Sequence, residues 1–592
     1  MAYLWPAPPP KQFVLCFDGT GNRFSGDTSD TNVLKIYRML DRTKSHQFHY
    51  YQPGIGTYVS SNSLSSIGRI QRIRSAYLKM KDAAIGSSFD EHVLGGYKFL
   101  MRYYTPGDDI YMFGFSRGSY TARFLAEMLD FIGLLEAGNE ELIRFAWKTF
   151  AKWQRRSSET EEDQRERKKL FKYMLAFRET FSRPIKQIRF MGLFDTVNSV
   201  PAFENPWMRR SRFPYTARSS AHIIRHAVSI DERRAKFRQD LISGMTPWNP
   251  TSHNHPTHHW HPHIHNEETP EIVVNDAGCE HKEAHDSQPH VAEKMIKNRV
   301  YRLPDSQGQN IYRVTPSQHI GLTNPGQTAS REDVASIKSD QSGFSLRVRR
   351  LLISDETEGA QDIKEVWFAG QHGDVGGGWK LDPNDEWPLS HIPLVWMVQE
   401  AKLAGLRFDS MKLKQFECHD EPVRSFSGFE PNFNSKCTRD NDFEKHGSIP
   451  STSTFHKALK HAGDKGIVHD CLRFGGGLPS ISTMSWWIME YLPFRRMDLQ
   501  PDGSWKPINW PLPYGEVRDI PNNAEIHVSA IRRMQADSSY RPGNLIIGGG
   551  GRGVKRAPEK YGIGEWIISS NEGDPVRETY VRKGEAQIRS EA

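Results

Sequence analysis

The feature that most constrains this chain is a run of ten residues, Tyr111-Met112-Phe113-Gly114-Phe115-Ser116-Arg117-Gly118-Ser119-Tyr120. The apolar stretch from Ile110 to Phe113 reads as a buried strand and runs straight into Gly-x-Ser-x-Gly. Thr121 to Leu129 then has helical spacing and good helix formers. Strand, sharp turn and helix form the setting in which Gly-x-Ser-x-Gly presents a nucleophilic serine. The glycines serve that geometry, because a serine on so tight a turn is strained and side chains beside it would collide with strand and helix. An ordinary strand-to-helix turn is the alternative.

The chain before this elbow alternates strands and helices. Phe13 to Phe17 is a strand pattern, Asn32 to Leu40 a helix, Gln47 to Tyr51 a second strand, and Phe89 to Tyr104 a long helix. The pattern predicts an α/β fold, a mostly parallel sheet flanked by helices. The first strand ends in Asp18-Gly19-Thr20-Gly21-Asn22. Haloacid-dehalogenase-type phosphatases carry Asp-x-Asp-x-Thr here, but Cys16 stands where their nucleophilic aspartate belongs. A glycine-rich turn at this place has another use, since backbone N–H groups of Gly19 and Thr20, with that of Arg117, would form an oxyanion hole. The alternative is a plain turn with Asp18 bonded to its own loop.

Two further strand ends complete a chemical set. Ile185 to Phe194 reads as a core strand ending at Asp195, on the sheet edge where open α/β sheets place their sites. Glu365 to Gly370 reads as another, followed by Gln371-His372-Gly373-Asp374 and a glycine run. The order Ser116, Asp195, His372 is the serine–acid–histidine order of α/β-hydrolases. Asp374 is the rival acid, better placed to orient its loop. His222 to Arg234 reads as a helix and charged turn, with His226 structural and Asp231, Glu232 and Arg233 either an ion network or a substrate contact.

Length and composition frame the rest. At 592 residues the chain is too long for one compact core. Residues 11–245 read as the first part of the catalytic domain and 361–410 as its second part. Between them, 246–360 form a polar insertion, expected to be largely disordered, with seven histidines between His253 and His265. Adventitious metal binding is open to that tract, but it lacks the spacing of a designed site. Residues 411–592 read as an accessory C-terminal extension, helical or irregular. Its aromatic stretch Ser485 to Phe494 is either a segment packed on the core or a peripheral membrane contact. Gly548, Gly550 and Gly553 match a dinucleotide fingerprint, but Lys555-Arg556-Ala557-Pro558 follows where a helix should begin.

The net charge of +7 is a small difference between 78 basic and 71 acidic residues, compatible with attraction to an anionic membrane surface without arguing for it, and no nucleic-acid partner is expected. Five scattered cysteines fit a reducing compartment. The N-terminus lacks a signal-peptide core, and no stretch approaches the ~20 apolar residues of a spanning helix. A cytoplasmic location is the expectation.

Together, Phe17 to Asn22, Gly107 to Arg123, Leu193 to Val197 and Trp367 to Gly378 resemble the α/β-hydrolase-like domain shared with the phospholipase effectors of bacterial type VI secretion. The resemblance spans about residues 11–405, interrupted by the insertion. It implies a carboxylic ester hydrolase, phospholipase- or lipase-like, with Ser116, Asp195 and His372 as triad, a small-molecule or lipid ester as substrate, and no cofactor or metal. The residues alone say serine hydrolase. Two other classes stay open: a non-catalytic scaffold on the same fold, and a metal-dependent phosphoesterase using Asp18, Asp195 and Asp374 with the histidines.

Overall fold

The computed structural model describes residues 10–54 (apart from 23 and 44–45), 89–155, 161–197, 221–242, 361–419 (apart from 384), 454–491, 496–499, 505–508, 514–546 and 554–583. The polar insertion with its histidine tract and the Gly548–Gly553 motif lie outside the described residues.

A nine-stranded sheet organises the described chain. Its strands are β1 (Gln12–Phe17), β2 (Gln47–Gln52), β3 (Asp109–Phe115), β4 (Phe190–Phe194), β5 (Ile223–Ser229), β6 (Asp362–Phe368), β7 (Glu525–His527), β8 (Trp566–Ser570) and β9 (Thr579–Arg582). They lie in the order β8-β9-β7-β6-β5-β4-β3-β1-β2. Every pairing from β2 to β7 is parallel. The β8–β9 pair closes the far edge antiparallel.

Side chains alternate between two cores, one on each face of the sheet. From β1, Val14 and Cys16 enter one core while Phe13, Leu15 and Phe17 enter the other. From β3, Tyr111, Phe113 and Phe115 face the first, Ile110 and Met112 the second. Burial on both faces explains why these strands read as continuous apolar runs. Helices α1 (Asn32–Met39), α7 (His391–Leu403), α8 (Thr454–Lys465) and α10 (Val528–Ala536) cover the first face. Helices α2 (Phe89–Tyr103), α3 (Arg117–Ile132), α4 (Leu142–Arg155) and α5 (Glu161–Phe181) cover the second. Two short helices, α6 (His372–Gly376) and α9 (Ser480–Glu490), lie nearer the site. Among the described residues no helix is long and apolar enough to cross a membrane.

Three local expectations change. The stretch around His226 is the central strand β5, not a helix; Ile223, Ile224 and Val228 favour a strand, and a short buried run carries no period that separates the two. The apolar spacing of Leu389 to Ala404 predicts an amphipathic helix, but α7 is buried almost all round, with Glu400 paired to Arg225. The C-terminal extension is more than helical or irregular, because it adds β7, β8 and β9 to the same sheet.

The chain runs β1, then β2 on one side, then β3 on the other, so the topology reverses at β1. A crevice outside the carboxyl ends of β1 and β3 is where open α/β sheets bind ligands. Asp18 and Ser116 stand at those two ends.

Candidate active site

At the end of β3 the backbone turns sharply. Ser116 has φ 60° and ψ −124°, a conformation that costs a non-glycine residue about 1–3 kcal/mol. Both motif glycines are required by contact. A Cβ on Gly114 would lie 2.4 Å from the Ser119 Cα, and one on Gly118 would lie 2.2 Å from the Phe17 carbonyl oxygen. The Ser116 N–H donates to Phe194 O at 2.9 Å, which ties the elbow to the end of β4. Its side chain does not cap α3.

Asp195 follows Phe194 directly, with φ 42° and no exposure. Its N–H donates to Ala227 O at 2.7 Å, which fixes the turn on β5. The carboxylate accepts four bonds: from Ser229 N at 2.9 Å, from His372 Nδ1 at 2.5 Å, and from the Arg518 guanidinium at 2.5 and 2.9 Å. Burial alone would raise its pKa. The Arg518 charge and the bond from His372 outweigh burial and hold the carboxyl well below the usual carboxylate range.

His372 opens α6, whose N-terminus is closed by a reciprocal pair: Gln371 accepts from the Asp374 N–H, and Asp374 accepts from the Gln371 N–H at 2.9 Å. With Nδ1–H donated to an ionised Asp195, Nε2 is left as the basic nitrogen. The ring lies 4.7 Å from that of Phe115, the residue before Ser116, and 4.7 Å from that of Phe237. Helix α6 is seated on the elbow, since a Cβ on Gly376 would lie 1.9 Å from the Phe115 ring. Burial lowers the His372 pKa below the ordinary histidine value, against the pull of Asp195. The three residues read from sequence therefore stand along one edge of the sheet, just past the ends of β3, β4 and β6.

The turn after β1 is held by Asp18, which accepts from Gly19 N at 2.7 Å, Thr31 Oγ1 at 2.9 Å and Tyr51 OH at 2.7 Å. Burial pushes its pKa up to about 6. The Gly19 N–H is thus spent on Asp18, which removes it from the expected oxyanion donors. Thr20 and Arg117 stay as candidates, and Thr20 Oγ1 is buried with no hydrogen-bond partner among the described residues. A Cβ on Gly19 would lie 2.7 Å from the Phe115 ring, so this turn borders the elbow.

Asp374 turns away from His372. It accepts from His469 Nδ1 at 2.6 Å and His469 N at 3.0 Å, and its pKa is raised by burial. Asp18, Asp195 and Asp374 each accept hydrogen bonds from protein donors, and among the described residues no group of three or more His, Cys, Asp or Glu side chains is placed to hold a metal ion. His226 is buried between Thr196 N at 3.1 Å and Glu365 Oε1 at 2.8 Å, a structural position. Of the charged turn, Asp231 accepts from Gly370 N and Tyr540 OH at 2.7 and 2.8 Å, and Arg233 pairs with Asp470. Glu232 pairs with Arg234 at 2.8 Å and accepts the His372 N–H at 3.2 Å. Burial would raise Glu232, but Arg234 holds it at about 2.

Sequence reading missed Arg518. It lies in Tyr514-Gly515-Glu516-Val517-Arg518-Asp519, a stretch with no motif and no periodicity, and its partners are hundreds of residues away. Only the folded chain brings it to Asp195.

A family model described as "T6SS, Phospholipase effector Tle1-like, catalytic domain" matches residues 11–400. An uncharacterised protein of Saccharomyces cerevisiae is 32% identical over 574 residues, covering 90% of this chain and 80% of its own length. A solved structure of an uncharacterised Pseudomonas aeruginosa protein aligns at 16% identity and TM-score 0.28, over 69% of this chain and 48% of that one. A structure of the Tle1 effector bound to the VgrG spike aligns at 17% identity and TM-score 0.18, over 40% of this chain and 48% of that one. The chain spans about half the length of these solved structures. With two-thirds of its length under the family model and the site residues inside the matched span, the chain belongs to the family of Tle1-like phospholipase effector catalytic domains.

Proposed function

We propose that this protein is a serine hydrolase that cleaves carboxylic esters of phospholipids through an acyl-enzyme. The observation that carries the reading is the 2.5 Å bond from His372 Nδ1 to Asp195 Oδ2 beside a strained serine elbow. His372 Nε2 takes the proton of Ser116 Oγ as the oxygen attacks the ester carbonyl. Asp195 keeps the ring in the required tautomer and stabilises the imidazolium. The N–H groups of Arg117 and Thr20, with the Thr20 hydroxyl, face the developing oxyanion; losing one such donor typically costs about 10²–10³ in turnover. The imidazolium then protonates the leaving alcohol, and water activated by His372 releases the acid. No cofactor takes part.

The lipid substrate class comes from the family's description and gains support from α9. Ser480 to Met489 contains no charged residue. One face of this helix packs Trp486 on Phe237 with ring centroids 5.3 Å apart, and Phe237 in turn packs on His372. The opposite face exposes Ile481, Met484 and Ile488. The inner face of α9 thus packs on the core, and its exposed apolar outer face suits a lipid surface close to His372.

The test is labelling of the purified protein by a fluorophosphonate, with Ser116→Ala alongside, followed by phospholipid hydrolysis. Label and fatty-acid release in the wild type alone are expected. Release retained by a folded Ser116→Ala protein overturns the proposal.

A further inference from the structure

A catalytic aspartate in a triad normally answers to the histidine and a few neutral donors. Here Asp195 also meets a fully buried guanidinium end-on, both carboxylate oxygens being engaged, Oδ1 at 2.5 Å and Oδ2 at 2.9 Å. Such two-point pairing fixes the carboxylate plane as a single point charge cannot. Arg518 is itself anchored twice. Its Nη1 donates to Ser229 Oγ at 2.7 Å, at the end of β5, and its Nε donates to Phe237 O at 3.0 Å. Phe237 is the residue whose ring packs on His372, so one guanidinium steadies both the acid and the aromatic wall of the base.

The charge matters as much as the geometry. A buried carboxylate with no other cation draws a proton onto the adjacent imidazole, which disables it as a base. The groups facing His372 are Asp195, Glu232 and Arg234, with Arg518 behind Asp195. These are two anions and two cations, so the pocket is balanced only with Arg518 present.

We propose that Arg518 is a positioning residue for the Ser116–His372–Asp195 reaction, aligning Asp195 and keeping the resting His372 neutral. Residue 518 lies beyond the span 11–400 matched by the catalytic-domain family, so the active site is completed by the C-terminal region. This rests on the serine-hydrolase reading above.

The experiment measures fluorophosphonate labelling rate against pH for the full chain, wild type beside Arg518→Gln, Arg518→Lys and Ser116→Ala, with thermal midpoints recorded. Arg518→Gln should label about 10²-fold more slowly at its plateau, with the acid limb moved up by about one pH unit as His372 gains proton affinity. Arg518→Lys keeps the charge and loses the two-point hold, so its acid limb should stay while the plateau falls about tenfold. Arg518→Gln with the wild-type rate and limb overturns the proposal, and so does a lower plateau with an unmoved limb, which is the mark of a merely structural role. If Arg518→Gln does not fold, Arg518→Lys decides: an undiminished plateau or a shifted limb overturns the proposal. Failure of the underlying reading looks different, because then the wild type does not label, or Ser116→Ala labels equally.

Discussion

Gly118 meets Phe17 so closely that a Cβ on the glycine would fall 2.2 Å from the Phe17 carbonyl oxygen and 2.6 Å from that of Asp18. The start of α3 is thereby pressed onto the end of β1, which brings the elbow and the candidate oxyanion turn to one place. The obstructing atoms are backbone, so they cannot swing aside. Gly118→Ala should lower the thermal midpoint, with a cost of about 1–3 kcal/mol as overpacking usually gives, and should cut labelling of Ser116 more than tenfold. Differential scanning calorimetry and labelling on one sample check both, and a wild-type midpoint with wild-type labelling contradicts this account of the elbow.

Asp195 and Asp374 separate by what they hold. Asp195→Asn replaces one acceptor of the His372 Nδ1–H by an amide that favours the wrong tautomer; in the serine protease template that change costs about 10⁴ in turnover. Asp374→Asn disturbs only the α6 cap and its bond to His469, so about tenfold is expected, mostly as lost stability. Turnover of a soluble ester by the two variants settles which aspartate is the acid. Equal losses would remove Asp195 from that role.

Burial lowers the His372 pKa, so the free enzyme should hold its base unprotonated below the ordinary histidine range. The acid limb of kcat/KM is expected below about pH 6.5, the unperturbed value. A limb above that value means that the imidazolium is the favoured form and that the charge balance described for the pocket is wrong.

Much of this site could be read before folding because its pieces are local. Each of Ser116, Asp195 and His372 ends an apolar run, and strand ends collect at one sheet edge whatever the loops do between them. Gly114 and Gly118 announce a close approach by lacking side chains. The loop bonding of Asp18 is only the alternative that the sequence offers to an oxyanion turn, because capture of the Gly19 N–H depends on an orientation that no pattern encodes. Strand β5 was misread because a short run buried on both faces has no diagnostic period. Arg518 could not be found, since its role depends only on a contact across more than three hundred residues of chain.

His527 caps α10 with Nδ1, which accepts from Ser529 N at 3.2 Å, while Nε2–H donates to Val576 O at 2.8 Å. Both nitrogens are used in the neutral form, and burial lowers its pKa to about 4. The unfolded chain protonates this side chain near pH 6.5, so its contribution is complete above that value and is lost as pH falls towards 4. Asp18 and Asp231, both raised to about 6 by burial, act with the opposite sign over the lower part of this window. A difference experiment isolates the histidine. Between about pH 7.5 and pH 5, His527→Gln should lose about 2 kcal/mol less unfolding free energy than the wild type. Parallel urea curves at the two pH values would show that His527 does not titrate with folding.

The outer face of α9 predicts a split between dissolved and assembled substrates. Ile481, Met484, Ile488 and the C-terminal Tyr491 are 76%, 54%, 59% and 59% exposed, and their spacing of three, four and three residues puts them on one stripe. The inner face is fixed: Trp487 donates to Leu472 O at 2.9 Å, and Glu490 accepts from Ala235 N at 2.8 Å. Changing exposed isoleucines to asparagine therefore costs the fold little, within about 0.5 kcal/mol each. Against a lipid surface each isoleucine contributes up to about 1.5–3 kcal/mol when fully buried. The Ile481→Asn, Ile488→Asn protein should sediment with phospholipid vesicles at least tenfold less than the wild type and hydrolyse vesicle lipid correspondingly slowly, yet turn over a short-chain soluble ester at the wild-type rate. Equal losses on both substrates would mean that α9 serves the catalytic groups directly; unchanged vesicle binding would place the lipid contact on another face of the molecule.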